Sequence, residues 1–371
     1  MPLGARAVAA VVGGLLVITA GGSVIGTIIV PRPVASWMTA MVDKLVVGIS
    51  RLVTAPIASY RRRDRVLAVQ AAAILLLQLI AWLAIFFVGY ALLLWPFLSG
   101  GITSAFNAAS PALWEIGSTD VSGVAARAII DIASLTGIVT ITLQIAYLPT
   151  LYAAFNRRET EVALLNARAG VPSWGPELLA RTHYALGSGA STVDTLPALY
   201  EEWERFAADI TESHTTYLPL VRFRSPRPLS SWVIALLSVL DSAALYLVLS
   251  PDSAPTVAAR LCLRSGFLCF TEIARAMKLK VPESLDSATG ISLTYEEFLA
   301  GVNTMRKVDF PIERDPEQAW PDFVGWRVNY EATAFAIATA IDAVPALWSG
   351  PRRKSQQPIP PLRPGPGRPP K

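Results

Sequence analysis

Side chains able to do chemistry are few in this 371-residue chain, and their spacing is poor. His183 and His214 are the only histidines. They fall on separate elements, whereas a helical metal pair needs two imidazoles about one turn apart. Cys262 and Cys269 are the only cysteines and have no histidine or carboxylate companions at metal-ligand spacing. Glu201, Glu202, Glu204, Asp209 and Glu212 could supply acid/base pairs, but Leu199, Trp203 and Phe206 form one face of the same helical pattern. The carboxylates then belong to a solvated face. No phosphate-binding glycine loop, nucleophile elbow or dinucleotide fingerprint is present. These residues argue against an enzyme and imply no metal and no cofactor.

One short segment remains, Glu115, Ile116, Gly117, Ser118, Thr119 and Asp120, and its interest comes from what flanks it. The 49 residues 66–114 carry no charged side chain, far more than the roughly 20 that one membrane-crossing helix requires. Trp95 and Pro96 close a first apolar run, Gly100 and Gly101 break it, and 102–113 reads as a short apolar helix. A second uncharged run follows at 132–155. Two readings of 99–122 stand. It is a re-entrant segment whose irregular backbone is satisfied by protein or a water-filled cavity, or it is an extracellular loop carrying one surface helix.

The order of span, short helix, glycine-containing turn and span resembles the tetrameric pore-loop cation channels. Ile116, Gly117 and Asp120 match the valine, first glycine and aspartate of their potassium filter. Glu115, Ser118 and Thr119 stand where that family has threonine, tyrosine and glycine. The resemblance covers 66–153 and implies a homo-oligomer conducting cations, with 115–120 as pore and filter residues. The chain as a whole resembles bacterial integral membrane proteins.

The rest of the chain supports a membrane setting. Apolar residues make up 53%, charged residues only 16%, and mean hydropathy is +0.44. Residues 7–30 form a further uncharged run, too long for a signal-peptide core and therefore an uncleaved span. Its glycines, Gly13, Gly14, Gly21, Gly22 and Gly26, invite close helix approach. In 34–60, Trp37, Met41, Leu45 and Gly48 recur at helical spacing beside Lys44 and Arg51, as on a helix lying in the interface. Segment 31–65 is rich in Arg and Lys, 96–122 has neither, and Arg157 and Arg158 follow the last run. That alternation predicts three spans in the plasma membrane, with the amino terminus and 99–122 outside and the C-terminal domain cytoplasmic. Arg61, Arg62, Arg63 and Arg65, clustered beside an apolar run, point to anionic lipid rather than nucleic acid.

Beyond 155 the pattern becomes that of a globular helical domain, with helical periodicity at 159–169, 176–186, 195–213 and 260–278. Thr294 followed three residues later by Glu297 predicts a capping box. Two apolar runs, 232–249 and 332–348, contain Asp241 and Asp342. They read as core helices, the alternative being one more hairpin in the membrane. The tail, 350–371, is proline-rich and basic and is expected to be disordered. The expected organisation is all-α: 1–65 a first span and basic interfacial helix, 66–155 a span, pore-loop-like segment and span, 156–349 a cytosolic helical bundle, and 350–371 the tail. The function this implies is an oligomeric cation-conducting, channel-like protein. The alternative is a non-enzymatic, membrane-anchored scaffold or sensor acting through the bundle.

Overall fold

The computed structural model describes residues 3–30, 36–114, 121–184, 192–281 and 290–350. Among them there are α-helices and short 3-10 turns but no strand. In chain order the helices are α1 (Leu3–Ile28), α2 (Trp37–Thr54), α3 (Tyr60–Leu67), α4 (Gln70–Leu94), α5 (Gly101–Trp114), α6 (Val124–Ala169), α7 (Gly175–Tyr184), α8 (Leu196–Thr216), α9 (Pro219–Arg222), α10 (Trp232–Leu249), α11 (Thr256–Ala276), α12 (Tyr295–Arg306), α13 (Pro316–Arg327) and α14 (Glu331–Ala340). They form two compact units. The first comprises 1–56 and 69–153, the second 57–68 and 154–371. Segment 57–68, expected with the first span, therefore belongs to the second unit, because α3 turns Tyr60, Arg63, Asp64 and Leu67 into it.

In the first unit α1 and α4 run antiparallel in close contact. Rising along α1 from Gly13 to Ser23 means descending α4 from Gly89 to Trp82. A Cβ on Gly13 would lie 2.5 Å from the Gly89 carbonyl oxygen, so glycine is what lets the two backbones meet. Gly21 and Gly22 touch nothing and play no such part. Trp82 Nε1 donates to Ser23 Oγ (2.9 Å), and Ser23 shares a hydrogen with Ser36 (2.7 Å), whose oxygen also caps α2 at Met38 N (3.3 Å). From that cap α2 lies along α4, its Val42 and Val46 packed on Ile74. The stripe Trp37, Met41 and Leu45 stays exposed. So do Ile18 of α1 (73%) and Leu52 of α2 (76%). Apolar exposure on this scale marks a surface meant for lipid or for another protein.

Among the described residues four helical stretches are long and apolar enough to cross a membrane: Gly4–Ile28, Tyr60–Phe97, Val124–Ala169 and Trp232–Leu249. The fourth differs from the others because 94% of it is buried within its own unit. It is α10, enclosed by α7, α8, α11, α13 and α14, and its apolar surface is consumed in the core.

The second unit matches several expected features. Thr294 and Glu297 form both arms of the capping box, with Thr294 N donating to Glu297 Oε2 (3.0 Å) and Glu297 N to Thr294 Oγ1 (3.2 Å). The aromatic stretch of α13 is core, with Phe323 in contact with Phe298 and Trp348. The run 332–348 is not one helix. It stops at Ala340 because Asp342 adopts positive φ (51°) and Pro345 disfavours helix at Val344. Ala343, Val344 and Ala346 are nevertheless buried.

Asp241, in the middle of α10, forms an ion pair with Arg327 Nη1 (2.7 Å) and accepts a hydrogen bond from Tyr330 Oη (2.9 Å). Arg327 also donates to Glu331 (2.6 Å) and to the Trp348 carbonyl (2.5 Å). Burial pushes the Asp241 carboxyl up to about 6, against the opposing pull of Arg327 and Tyr330. Replacing Asp241 by Ala leaves a buried guanidinium with one carboxylate, that of Glu331, instead of two, and is expected to cost about 3 kcal/mol in chemical denaturation. The double change Asp241→Leu/Arg327→Met is expected to cost less than Asp241→Ala. Equal or larger loss in the double variant would contradict this account of the α10 core.

Candidate functional site

The residues singled out as filter, Glu115, Ile116, Gly117, Ser118, Thr119 and Asp120, lie outside the described residues. Their setting is described on both sides. The chain leaves α4 through a 3-10 turn, Trp95–Phe97, and reverses at Gly101, whose φ of 79° suits glycine. Helix α5 then packs Ala105, Ala108, Ala109, Ala112 and Leu113 inward, the small side chains letting it lie close against its neighbours. Phe106 meets Phe87 of α4 edge-on, with ring centroids 5.3 Å apart. Thr103 and Asn107, one turn apart, are exposed on the other side of α5.

The C-terminal end of α5 does not stay at the mouth of the hairpin. Ser134 Oγ donates to the Ala112 carbonyl (3.0 Å), and a Cβ added to Gly137 would stand 2.2 Å from the Leu113 carbonyl oxygen. Gly137 lies thirteen residues into α6, about 20 Å along its axis from Val124. Measured from Ile132, where the uncharged run begins, the depth is about 8 Å. Tyr90 of α4 shares a hydrogen with Thr136 at the same level (2.6 Å), closing α4 against α6 beside the tip of α5.

Gly137→Val puts two methyls into the Leu113 carbonyl. We expect it to displace α5 and lower stability by about 1–3 kcal/mol, read as a fall in the detergent-solution melting temperature. Gly21→Val, in open space, is the control and should leave it unchanged.

In the second unit the notable chemistry is a set of buried arginines. Of the four basic residues assigned to lipid, Arg61, Arg62 and Arg65 are exposed on α3. Arg63 is a correction. It is fully buried, and its Nε and Nη2 hold the Asp342 carboxylate at 2.8 and 3.1 Å, so its charge is spent inside the protein. Next to it Arg224 binds Asp64, the Tyr60 hydroxyl (2.7 Å) and the carbonyls of Ile341 (2.7 Å) and Asp342 (3.0 Å). Burial pushes the Tyr60 hydroxyl up, so it stays protonated.

Arg158, on α6 just past its uncharged run, is fully buried. Its Nε and Nη2 donate to Glu159 (2.9 and 2.7 Å), Nη2 also to the Phe223 carbonyl (2.7 Å), and Nη1 to the Leu220 carbonyl (2.8 Å) and His214 Nε2 (3.1 Å). Every guanidinium hydrogen thus has an acceptor. Arg158 and Arg224 between them fix the stretch from Leu220 to Arg224, which overlaps α9.

The remaining sequence candidates do not converge. His183 falls in α7, while His214 is enclosed beside Arg158. Glu201 pairs along its own helix with Arg205 (3.9 Å, both exposed), and Asp209 with Arg157 (3.0 Å). Burial, with the charge of Glu202 second, raises the Glu161 carboxyl above its ordinary value. Cys262 and Cys269 are buried and their thiols pushed up, which makes them inert. Among the described residues no group of three His, Cys, Asp or Glu is placed to hold a metal ion. Sequence reasoning passed over Arg158, Arg224 and Arg327. For Arg327 a signal existed, since it continues the buried stripe Ala319 and Phe323 at helical spacing. No family model, curated protein or solved structure matches the chain.

Proposed function

We propose that this chain is a multi-pass protein of the bacterial plasma membrane whose α4–α5–α6 hairpin, repeated in a homo-oligomer, forms a cation-conducting pore. The observation that carries this reading is the seating of Ala112 and Leu113 against Ser134 and Gly137. A surface helix on an extracellular loop has no reason to bring its last turn inside the uncharged part of the next helix. A pore helix does, because the segment after it must rise along the axis with its backbone groups turned to water or ions. The exposed edge of Thr103 and Asn107 suits a neighbouring copy or a wet cavity. Arg61, Arg62 and Arg65 are then placed for anionic lipid at the cytoplasmic face.

Glu115 repeats once per copy in such an assembly, and a ring of carboxylates in a partly dehydrated site favours cations. In planar-bilayer recordings under a salt gradient, Glu115→Gln should move the reversal potential toward that of an unselective pore. A wild-type protein that never conducts, or a reversal potential that Glu115→Gln leaves in place, would defeat the pore reading.

Topology is separately testable. With an impermeant thiol reagent applied outside intact cells, a cysteine at Ser122 should label and one at Arg62 should not, both positions being exposed. Labelling at Arg62 from outside would reverse the orientation.

A second reading, a membrane-anchored scaffold or sensor acting through the second unit, has its own support. That unit holds α3, the segment directly before α4, and residues 154–169, directly after the uncharged part of α6. A partner that altered it would act on both chain ends of the hairpin.

A further inference from the structure

We propose that His214 and Arg158 form a proton-responsive latch that releases the α9 segment, 217–224, when the surroundings become mildly acidic. The inference does not depend on the pore reading, because it concerns the second unit alone. Both side chains are fully buried, with His214 Nε2 3.1 Å from Arg158 Nη1. A guanidinium has no lone pair to offer, so the imidazole must accept, which fixes the neutral tautomer with its hydrogen on Nδ1. That hydrogen faces Ser213 Oγ (2.9 Å), and Ser213 in turn donates to the Asp209 carbonyl (2.6 Å). The chain of donors runs one way from Arg158 to the backbone of α8, with no vacancy for a second proton on the ring.

The charges around the ring leave no compensation for one. From α6 come Arg158 and Glu159, and the carboxylate of Glu159 is already taken by Arg158. From α8, Asp209 has its carboxylate on Arg157, and the Ile210 carbonyl is a further neutral acceptor. From α10 the ring meets only the indole of Trp232, centroids 5.4 Å apart. From α9, Arg222 is another cation rather than an anion. Burial first, and the Arg158 charge second, hold the imidazole well below its usual range.

A proton added to Nε2 would set two cations in contact without water and deprive one Arg158 donor of its acceptor. The alternative is for His214 to leave the site and be protonated in water. Its departure loosens Arg158, whose other hydrogens hold the carbonyls of Leu220 and Phe223. The sign follows: the closed form excludes the proton and the open form takes it. The open fraction therefore rises as pH falls below about 6.5, by up to about tenfold for each pH unit.

The test is hydrogen–deuterium exchange on the full-length protein in detergent between pH 7.5 and 5.0, with rates corrected for the intrinsic pH dependence of exchange. Wild-type peptides across 210–224 should gain exchange about tenfold per unit below pH 6.5, while peptides from α12 stay level. His214→Gln keeps an acceptor for Arg158 and removes the titration, so its 210–224 peptides should be flat with pH. If that variant does not fold, the histidine signals of the wild type decide. One of the two should stay neutral down to the pH at which 210–224 opens. Corrected exchange in 210–224 that ignores pH, or that rises equally in His214→Gln, or a histidine pair that titrates normally near 6.5 without opening, would each overturn the latch.

Discussion

A guanidinium taken out of water keeps its charge and needs carboxylates and carbonyls close around it, and the second unit is built around that demand. Arg63, Arg158 and Arg327 are all fully buried. Burial of one such cation costs several kcal/mol unless carboxylates and carbonyls converge on it, and that convergence dictates which segments meet. Arg327 joins α13 to α10 through Asp241 and to the final turns through the Trp348 carbonyl. Arg158 joins α6 to α8 and α9. Arg63 and Arg224 join α3 to the segment around Asp342. Apolar packing around α10 supplies most of the cohesion, while the arginines specify register, because a shift of one residue would leave a charge alone.

The first unit obeys the complementary constraint. Its exposed helix faces are largely apolar, and its internal contacts depend on how closely helices approach. Glycine and alanine do this at three crossings: Gly13 against Gly89, the alanine face of α5, and Gly137 beneath the Leu113 carbonyl. Few hydroxyls supplement the packing, but they sit at crossings as well, at Ser23, Ser36, Ser134 and Thr136. Such a unit tolerates bulk on its exposed faces and very little at these contacts.

The two constraints meet in the course of the chain. Helix α6 contributes its uncharged part to one unit and Arg158 to the other, and α3 does the equivalent service immediately before α4. A hairpin in apolar surroundings is thus continued at both ends by segments fastened with buried ion pairs. A pore and a sensor are both compatible with this layout, since each needs a firm hold on the helices it would move or anchor.

Patterns with short reach were legible from residue types alone. Uncharged runs longer than 20 residues, the break at Gly100 and Gly101, the short helix after it and the Thr294–Glu297 capping box depend on neighbours within a few turns, and all are present. The helical character of the second unit followed from the same local periodicity. Three features were beyond that reach. The depth of α5 depends on Gly137, more than twenty residues after Leu113 in sequence, and no local pattern says which carbonyl will lie on which glycine. The 232–249 run read as a core helix on Asp241, and the burial that agrees with this comes from distant helices that no local pattern names. Arg63 read as one of four equivalent surface charges until α3 turned it toward Asp342, 279 positions away. Charge and hydrophobicity are properties of a residue, but desolvation and pairing are properties of an address, and the address is set by packing.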